Sequence, residues 1–532
     1  MSRLSDVVAQ TLAAAGIDMI FGVPGSLSSV ELIEASAKVG IRYVLCSNES
    51  SAAVMAGTYG MMKNRPGVVS TGVGPGAVAA VHGVANCRLE RVPMLVLTDR
   101  YGDEEYRRLI RQRLDQPAMF APVTKASFTL PREAVASTLR RAMRTAMNGR
   151  PGPVHVDMPY DVMLADATEA DMAASGEHEV FESRAGAGNE GIDRLLEAIE
   201  ASRKPVVIAG AQVNRRGEGA ERAFVTFAEK LGAPVFASLS AKGLLSESHE
   251  LSVGVFRGVP SERQIIDESD LIVVIGFDAV EIFTPGGWPY PQRTVVLDEV
   301  PHLDGTLDPE VEVVANLEDG LAALAVSVPR RPWNREDLDA YRSKRAEGLR
   351  PQGSGLMPGA VLRMTREHLA DNGIVAVDAG QHKVVASDLW ESRRPRGFLS
   401  SSGLGSMAVS LPAAISAKLI EPETPVVSMT GDGGFLMRVG DLETAAREGA
   451  AVVVVVFNDG WLNLIKLQQD RKGYKREGVA FADVDFAAIA AGFGFGSRRV
   501  DTEAEYDAAI GEALASGRPW LIDARINPDG YV

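Results

Sequence analysis

Gly431-Asp432-Gly433-Gly434-Phe435 follows the strand-like stretch Pro425-Val426-Val427-Ser428-Met429, and Asn458-Asp459-Gly460 follows the apolar run Val452 to Phe457. Two apolar runs, each ending in an oxygen-bearing side chain with glycine close behind, read as neighbouring parallel strands. Their carboxyl ends open on one crevice, the place where α/β sheets bind ligands. Asp432 and Asn458 bring oxygens there, the glycines leave backbone N–H groups open, and a helix starting near Phe435 turns its positive end toward an anion. Mg²⁺ takes one or two oxygens from a protein and others from phosphates, so the pair reads as a seat for a metal bound to a diphosphate. A Gly-rich strand-to-helix turn by itself recurs widely. Asn458, 26 positions after Asp432, is what distinguishes this one.

At 532 residues the chain is too long for one core and predicts three or four domains. Hydrophobic residues at 46% and charged residues at 23% are ordinary for a globular protein. The net charge of −15 argues against nucleic acid or an anionic membrane as the main partner. Two cysteines, Cys46 and Cys87, imply neither a disulfide framework nor a zinc site. The N-terminus runs straight into an amphipathic helix pattern, and no apolar stretch reaches the length of a membrane span, so the expected location is cytoplasmic.

Alternating strand-like and helix-like segments mark three α/β blocks. The first runs to about Leu164, with strands at Met19–Val23, Ile41–Cys46, Gly67–Gly72 and Met94–Thr98 and a last one around Val154. A polar stretch, Asp166 to Glu190, reads as a linker. The second block, about Gly191 to Val328, has strands at Pro205–Ala209, Pro234–Ala237, Leu271–Ile275 and Thr294–Leu297. It reads as Rossmann-like, although its turn Ala209-Gly210-Ala211-Gln212 lacks GxGxxG. Pro329 to about Gly355 reads as a second linker, and the third block carries the opening motif.

GDG followed by Asn on the next strand resembles the signature of thiamin diphosphate (ThDP) enzymes, in the 2-oxoacid decarboxylase and acetolactate synthase superfamily. Ser402-Gly403-Leu404-Gly405-Ser406-Met407, Asp378-Ala379-Gly380-Gln381-His382, Phe21-Gly22-Val23-Pro24-Gly25, Gly74-Pro75-Gly76 and Gly149-Arg150-Pro151-Gly152-Pro153 extend the likeness over the whole chain. It implies three doubly wound parallel-sheet domains: pyrimidine-binding over 1–165, central Rossmann-like over 190–328, and diphosphate- and Mg²⁺-binding over 356–532. Asp432, Asn458 and the Gly460 carbonyl would hold the metal. Gln381, His382, Gly433 and Gly434 would donate to the diphosphate. The Gly405 carbonyl and the Met407 N–H would hold the pyrimidine, with the Met407 side chain as a wedge beneath the bent cofactor. Glu49, in Ser47-Asn48-Glu49, reads from the residues alone as a helix N-terminal acid; the resemblance makes it the proton-relaying partner of the pyrimidine. It also implies a homodimer or homotetramer with sites formed between subunits.

The same likeness narrows the reaction without fixing it. No adjacent His-His pair occurs in the first block, which disfavours a pyruvate-decarboxylase type. Gln112 falls where acetolactate synthases and related lyases carry an active-site glutamine, though a solvated polar face remains open for it. Trp461 and Ile465 are i, i+4 neighbours that would line a substrate pocket, and Ser26 matches a carboxylate-binding serine of benzoylformate decarboxylase. Leu271–Ile275 continues as Gly276-Phe277-Asp278-Ala279-Val280-Glu281, without the Arg-Phe-Asp-Asp-Arg pattern of FAD-holding relatives, and so predicts no FAD. The resulting expectation is an acetolactate-synthase-like carbon–carbon lyase or carboligase acting on a 2-oxoacid. The alternatives are a 2-hydroxyacyl-CoA lyase or oxalyl-CoA decarboxylase acting on an acyl-CoA, a benzaldehyde-lyase or benzoylformate-decarboxylase relative, and a non-catalytic ThDP-binding partner subunit.

Overall fold

The computed structural model describes residues 2–176, 189–282, 288–348 and 353–531. Three six-stranded sheets are present, and every strand pair within them is parallel. The first contains β1 (Met19–Val23), β2 (Arg42–Leu45), β3 (Gly67–Thr71), β4 (Met94–Arg100), β5 (Ser127–Thr129) and β6 (Pro153–Pro159), in the order β2-β1-β3-β4-β6-β5. The second contains β7 (Pro205–Ala209), β8 (Val235–Ser238), β9 (Ser252–Phe256), β10 (Leu271–Ile275), β11 (Arg293–Asp298) and β12 (Val311–Val314), in the order β12-β11-β10-β7-β8-β9. Counted from β7, that is the Rossmann arrangement. The third contains β13 (Ile374–Val377), β14 (Phe398–Ser400), β15 (Val426–Gly431), β16 (Val452–Asn458), β17 (Gly496–Val500) and β18 (Trp520–Arg525), ordered β14-β13-β15-β16-β18-β17. It repeats the order of the first sheet strand for strand.

The apolar runs become central strands because both of their faces are covered. All seven residues of β16 are buried, as are all five of β7 and of β10. Burying each Val or Ile side chain stabilises by roughly 1.5–3 kcal/mol, and β-branched residues suit a pleated surface. Around the third sheet, Val375, Val427, Val453 and Phe457 pack with Trp390 and Tyr506 in one core.

The chain divides into two compact units. One is Met1–Ser183 with Ile415–Glu421 and Arg438–Ala450; the other is Arg184–Ala414 with Pro422–Met437 and Ala451–Val532. The second and third sheets both belong to the latter. The two inserted segments bond within the former: Ser416 Oγ donates to Met55 O at 2.8 Å, Ser51 Oγ donates to Asp441 Oδ2 at 2.7 Å, and Ser47 Oγ also donates to Asp441.

Both stretches read as linkers contain helix. Glu169–Ala174 is a short helix with a Thr168–Asp171 capping box, and Arg335–Gly348 is a longer one. Tyr341 and Leu338 of the latter are buried against the second sheet, so a few anchoring side chains suffice to order a mostly polar segment. Residues 177–188 and 349–352 of those stretches lie outside the described residues. Among the described residues no helix is long and apolar enough to cross a membrane.

After β2 the chain turns into the helix Glu49–Lys63, and the Asn48 side chain accepts from the N–H groups of Ser50 at 2.8 Å and Ser51 at 3.4 Å. Asn48→Ala removes this cap and should destabilise the protein by about 1 kcal/mol, while Asn48→Asp should retain most of it. Denaturant midpoints measure both, and an unchanged midpoint in Asn48→Ala would show that the cap carries no stability.

Candidate functional site

The third sheet reverses its winding between β13 and β15, which makes the carboxyl ends of β13, β15 and β16 the binding edge of the sheet. A cavity of ≈ 220 Å³ opens there. Gln381, His382, Gly405 and Met407 line one side. Asp432, Gly433, Gly434, Trp461 and Ile465 line the other. Nine of the residues singled out in the sequence thus meet around one space. Asn458 and Gly460 stand beside Asp432 rather than in the cavity wall.

The Asp432 carboxylate joins two strand ends. Oδ1 accepts from Gly433 N and Oδ2 from Gly460 N, both at 2.7 Å. Burial, with Asp459 as a second negative charge, pushes this carboxyl up to about 7. Asn458 is oriented by its amide nitrogen, which donates to Asp523 Oδ1 at 2.8 Å and to Val484 O at 3.4 Å. Its carbonyl oxygen is thereby left on the other side, available as a hard ligand of the kind Mg²⁺ takes. The helix after β15 starts earlier than expected: it spans Asp432–Leu436 and includes the aspartate in its first turn.

His382 is buried at the start of the helix Gln381–Leu389 and stacks on Phe457, with centroids 5.3 Å apart. Burial lowers its pKa to about 3, so the ring is neutral. Its Nε2 has no hydrogen-bond partner, and a buried polar atom of this kind at a cavity wall points to a ligand. Gln381 is buried beside it.

The Gly405–Ser410 segment is held by the first residue of the Asp378–His382 motif, for which the sequence suggested no role of its own. The Asp378 carboxylate accepts from Ala408 N at 2.9 Å, Val409 N at 2.6 Å, Ser410 N at 2.7 Å and Thr430 Oγ1 at 2.7 Å. Ala408 adopts φ +63°. That left-handed conformation is unfavourable for a side-chain-bearing residue. Two further cavity residues were given no role from the sequence: Asp459, which accepts from Trp461 N at 2.8 Å and Asn463 Nδ2 at 3.0 Å, and the partly buried Tyr531.

Glu49, Gln112 and Ser26 lie in the first unit, at the carboxyl ends of its sheet. Glu49 is the first residue of its helix, half-buried, and burial raises its carboxyl above the usual range. A Cβ on Gly76 would stand 3.1 Å from Glu49 Oε1, and one on Gly74 would stand 2.8 Å from Gln112 O. Glu49 and Gln112 therefore flank the same Gly74-Pro75-Gly76 turn. Gln112 is not on a helix; it sits in an exposed turn at φ +60°. Ser26 is exposed, in a loop pinned by Asp99, whose carboxylate accepts from Ser29 N and Ser29 Oγ at 2.7 Å.

In the central sheet, the turn after β7 is closed from within. Glu281 is buried, and its carboxylate accepts from Ala211 N at 3.1 Å and Asp278 N at 2.9 Å, with Ser238 Oγ also donating to it.

Comparison with known proteins agrees with this layout. Residues 2–119 match the description "Thiamine pyrophosphate enzyme, N-terminal TPP binding domain", residues 192–324 the central domain, and residues 378–524 the C-terminal TPP binding domain. The chain is 28% identical to the acetolactate synthase large subunit of Lactococcus lactis, with 99% of this chain and 93% of that one covered. It is 29% identical to the acetolactate synthase isozyme 1 large subunit of Escherichia coli, covering 99% and 94%. It is also 28% identical to a probable 2-ketoarginine decarboxylase of Pseudomonas aeruginosa, covering 97% and 92%. With its strand ends, its cavity and its full-length relatives in agreement, the chain belongs to the thiamine pyrophosphate enzyme family, as an enzyme of the acetolactate-synthase-like branch.

Proposed function

We propose that this enzyme uses ThDP and Mg²⁺ to make or break a carbon–carbon bond next to the carbonyl of a 2-oxoacid, as a lyase or carboligase. The observation that carries the reading is the cavity at the ends of β13, β15 and β16, where a neutral buried imidazole with an unpartnered nitrogen faces a carboxylate and two glycines. These groups fit the diphosphate–metal end of the cofactor. Asp432, the Asn458 side-chain oxygen and the Gly460 carbonyl would hold Mg²⁺, while Gln381, His382 and the Gly433 and Gly434 N–H groups would bind phosphate oxygens. Gly405 and Met407 would grip the pyrimidine. When bound, ThDP supplies the electron sink that lets a bond to the substrate carbonyl carbon break.

The protein supplies a proton relay, orientation and a pocket. Glu49 is the relay: half-buried and raised, its carboxyl holds or releases a proton nearer neutrality than a surface glutamate does. Gln112, beside the Gly74 turn, would orient the reacting carbonyl. Ser26, Trp461 and Ile465 would bound the substrate. We assign 1–165, 190–328 and 356–532 as the pyrimidine-binding, central and diphosphate-binding domains. Exposed Val30, Leu45 and Val78 in one unit, and Met437, Leu464 and Ile465 in the other, support a homodimer or homotetramer with sites between subunits. Glu281, occupying the N–H groups at the turn after β7, supports a central domain without FAD. The full-length likeness to acetolactate synthases supports a cytoplasmic location.

The similarity to a 2-ketoarginine decarboxylase, equal in identity to that with an acetolactate synthase, favours a second reading in which a longer 2-oxoacid loses CO₂ and leaves as an aldehyde. Incubation with ThDP, Mg²⁺ and pyruvate should yield acetolactate and CO₂. CO₂ and aldehyde from a longer 2-oxoacid, with pyruvate untouched, would replace the first reading with the second.

Glu49→Gln should leave ThDP bound while slowing exchange of the thiazolium proton by about 10²–10⁴-fold, as followed by NMR. Unchanged exchange would remove Glu49 from the relay.

His382 predicts a pH dependence of stability. Its folded pKa of about 3 lies below the ordinary histidine value, so the unfolded chain binds more protons between them. Stability from this group is complete above the unfolded pKa of about 6.5 and is lost as pH falls toward the folded one. Between pH 7.5 and 5.5 the cofactor-free protein should lose about 1 kcal/mol through this residue, and His382→Gln should flatten that slope. Urea midpoints at the two pH values test it; equal slopes would mean that the imidazole is not held neutral.

A further inference from the structure

A second cavity, of ≈ 300 Å³, lies between the central sheet's helix Arg335–Gly348 and the far end of the helix Gln381–Leu389. Ser261, Gln264, Tyr341, Lys344, Arg345 and Asp388 line it. None of these residues takes part in the site described above.

Tyr341 is 2% exposed. The Arg345 guanidinium lies against its hydroxyl oxygen, and the O–H itself finds no acceptor in the protein. A buried hydroxyl that gives up water without gaining a partner is destabilising, and native structures rarely leave one so unless a ligand supplies the acceptor.

The charges around it are unevenly balanced. Asp388 is shared by two guanidinium groups: Arg345 donates to Oδ1 at 2.7 Å and Arg257 to Oδ2 at 2.6 Å. Glu262 is taken up by backbone N–H groups, from Arg257 and Gly258 at 2.7 Å and from Val259 at 3.2 Å. Glu247 accepts from Lys242 at 2.5 Å and from Ser392 N at 2.7 Å. The nearby carboxylates are thus committed to other partners. Lys344, whose Nζ is 3.5 Å from Gln264 Oε1, adds a further positive charge at the rim. The Tyr341 hydroxyl, the Lys344 ammonium and the Ser261 hydroxyl are all donors, and a donor-lined cavity with excess positive charge matches an oxyanion.

We propose that this cavity is a binding site for a small oxyanion, a phosphate or a short carboxylate, held by the Tyr341 hydroxyl and Lys344. The unpartnered hydroxyl sets its position, and the cation at the rim sets the sign of its ligand.

The test is calorimetric titration of the full-length protein, first saturated with ThDP and Mg²⁺ so that added phosphate does not report the diphosphate seat. Inorganic phosphate and succinate serve as separate titrants, with Tyr341→Phe and Lys344→Ala alongside the wild type. One saturable site per chain is expected for at least one titrant, and which one binds identifies the source of the oxyanion. Each variant should weaken that binding about tenfold or more, since each removes a hydrogen bond to a charged group. In anion-free buffer Tyr341→Phe should melt no lower than the wild type, and the anion should raise its melting temperature less. Absence of saturable binding of both anions to the wild type, or equal affinities in all three proteins, overturns the proposal.

Discussion

The carboxyl edge of the third sheet depends on the buried carboxylate of Asp378. It sits at the end of β13 and accepts four hydrogen bonds, three from consecutive backbone N–H groups at 408–410 and one from Thr430 on β15. Burial raises this carboxyl, and the four donors pull it back. Losing it would strand three buried N–H groups at roughly 1–3 kcal/mol each. The same carboxylate dictates Gly434, where a Cβ would stand 2.5 Å from Asp378 Oδ2. It also keeps Ala408 at a positive φ that its side chain resists. Met407 and the GDGG turn are therefore placed by one group that touches neither the metal seat nor the substrate.

Much of the layout was legible in the sequence because parallel strands buried on both faces write themselves as apolar runs. Met19–Val23, Pro205–Ala209 and Leu271–Ile275 appear at the residues read from the sequence. The strands that escaped notice are edge or near-edge ones: Ser127–Thr129, Ser252–Phe256, Val311–Val314, Phe398–Ser400, Gly496–Val500 and Trp520–Arg525. Several of them are short or open to solvent along part of their length, as β5, β12 and β17 are, so they carry no continuous apolar run. Of the candidate residues, those at strand ends meet around one cavity, since strand ends are set by the sheet. Gln112 was harder to read: its turn is fixed by contact with Gly74, a long-range relation that local pattern does not encode. Tyr531, next to the C-terminal residue and far in sequence from every motif, reaches the cavity by tertiary packing alone.

The first and third sheets share one strand order, yet their edges differ in chemistry. In the third, a neutral buried imidazole with an unpartnered nitrogen stands at the cavity wall. In the first, the helix after β2 begins with a carboxylate, which occupies the positive end of its own helix dipole. That placement gives the first edge a carboxyl where the third has a buried imidazole. One strand order thus carries two different chemistries, with the difference set by the residues just beyond the strand ends.

Buried carboxylates recur at these ends for a common reason. Parallel strands feed into loops whose first N–H groups have no ladder partner, and a buried N–H must be satisfied. Asp99 does this for Leu27 and Ser29, Glu281 for Ala211 and Asp278, and Glu262 for Arg257, Gly258 and Val259. Burial pushes Asp99 up to about 6 and both glutamates up to about 7, while the N–H donors hold them down. An amide could not replace such a group without presenting its own N–H atoms to donors. The third sheet follows the same rule, with Asp378 serving Ala408, Val409 and Ser410 and Asp432 serving Gly433 and Gly460. What sets its edge apart is the buried His382 ring, whose Nε2 is left without a protein partner at the cavity wall and so calls for a group from outside.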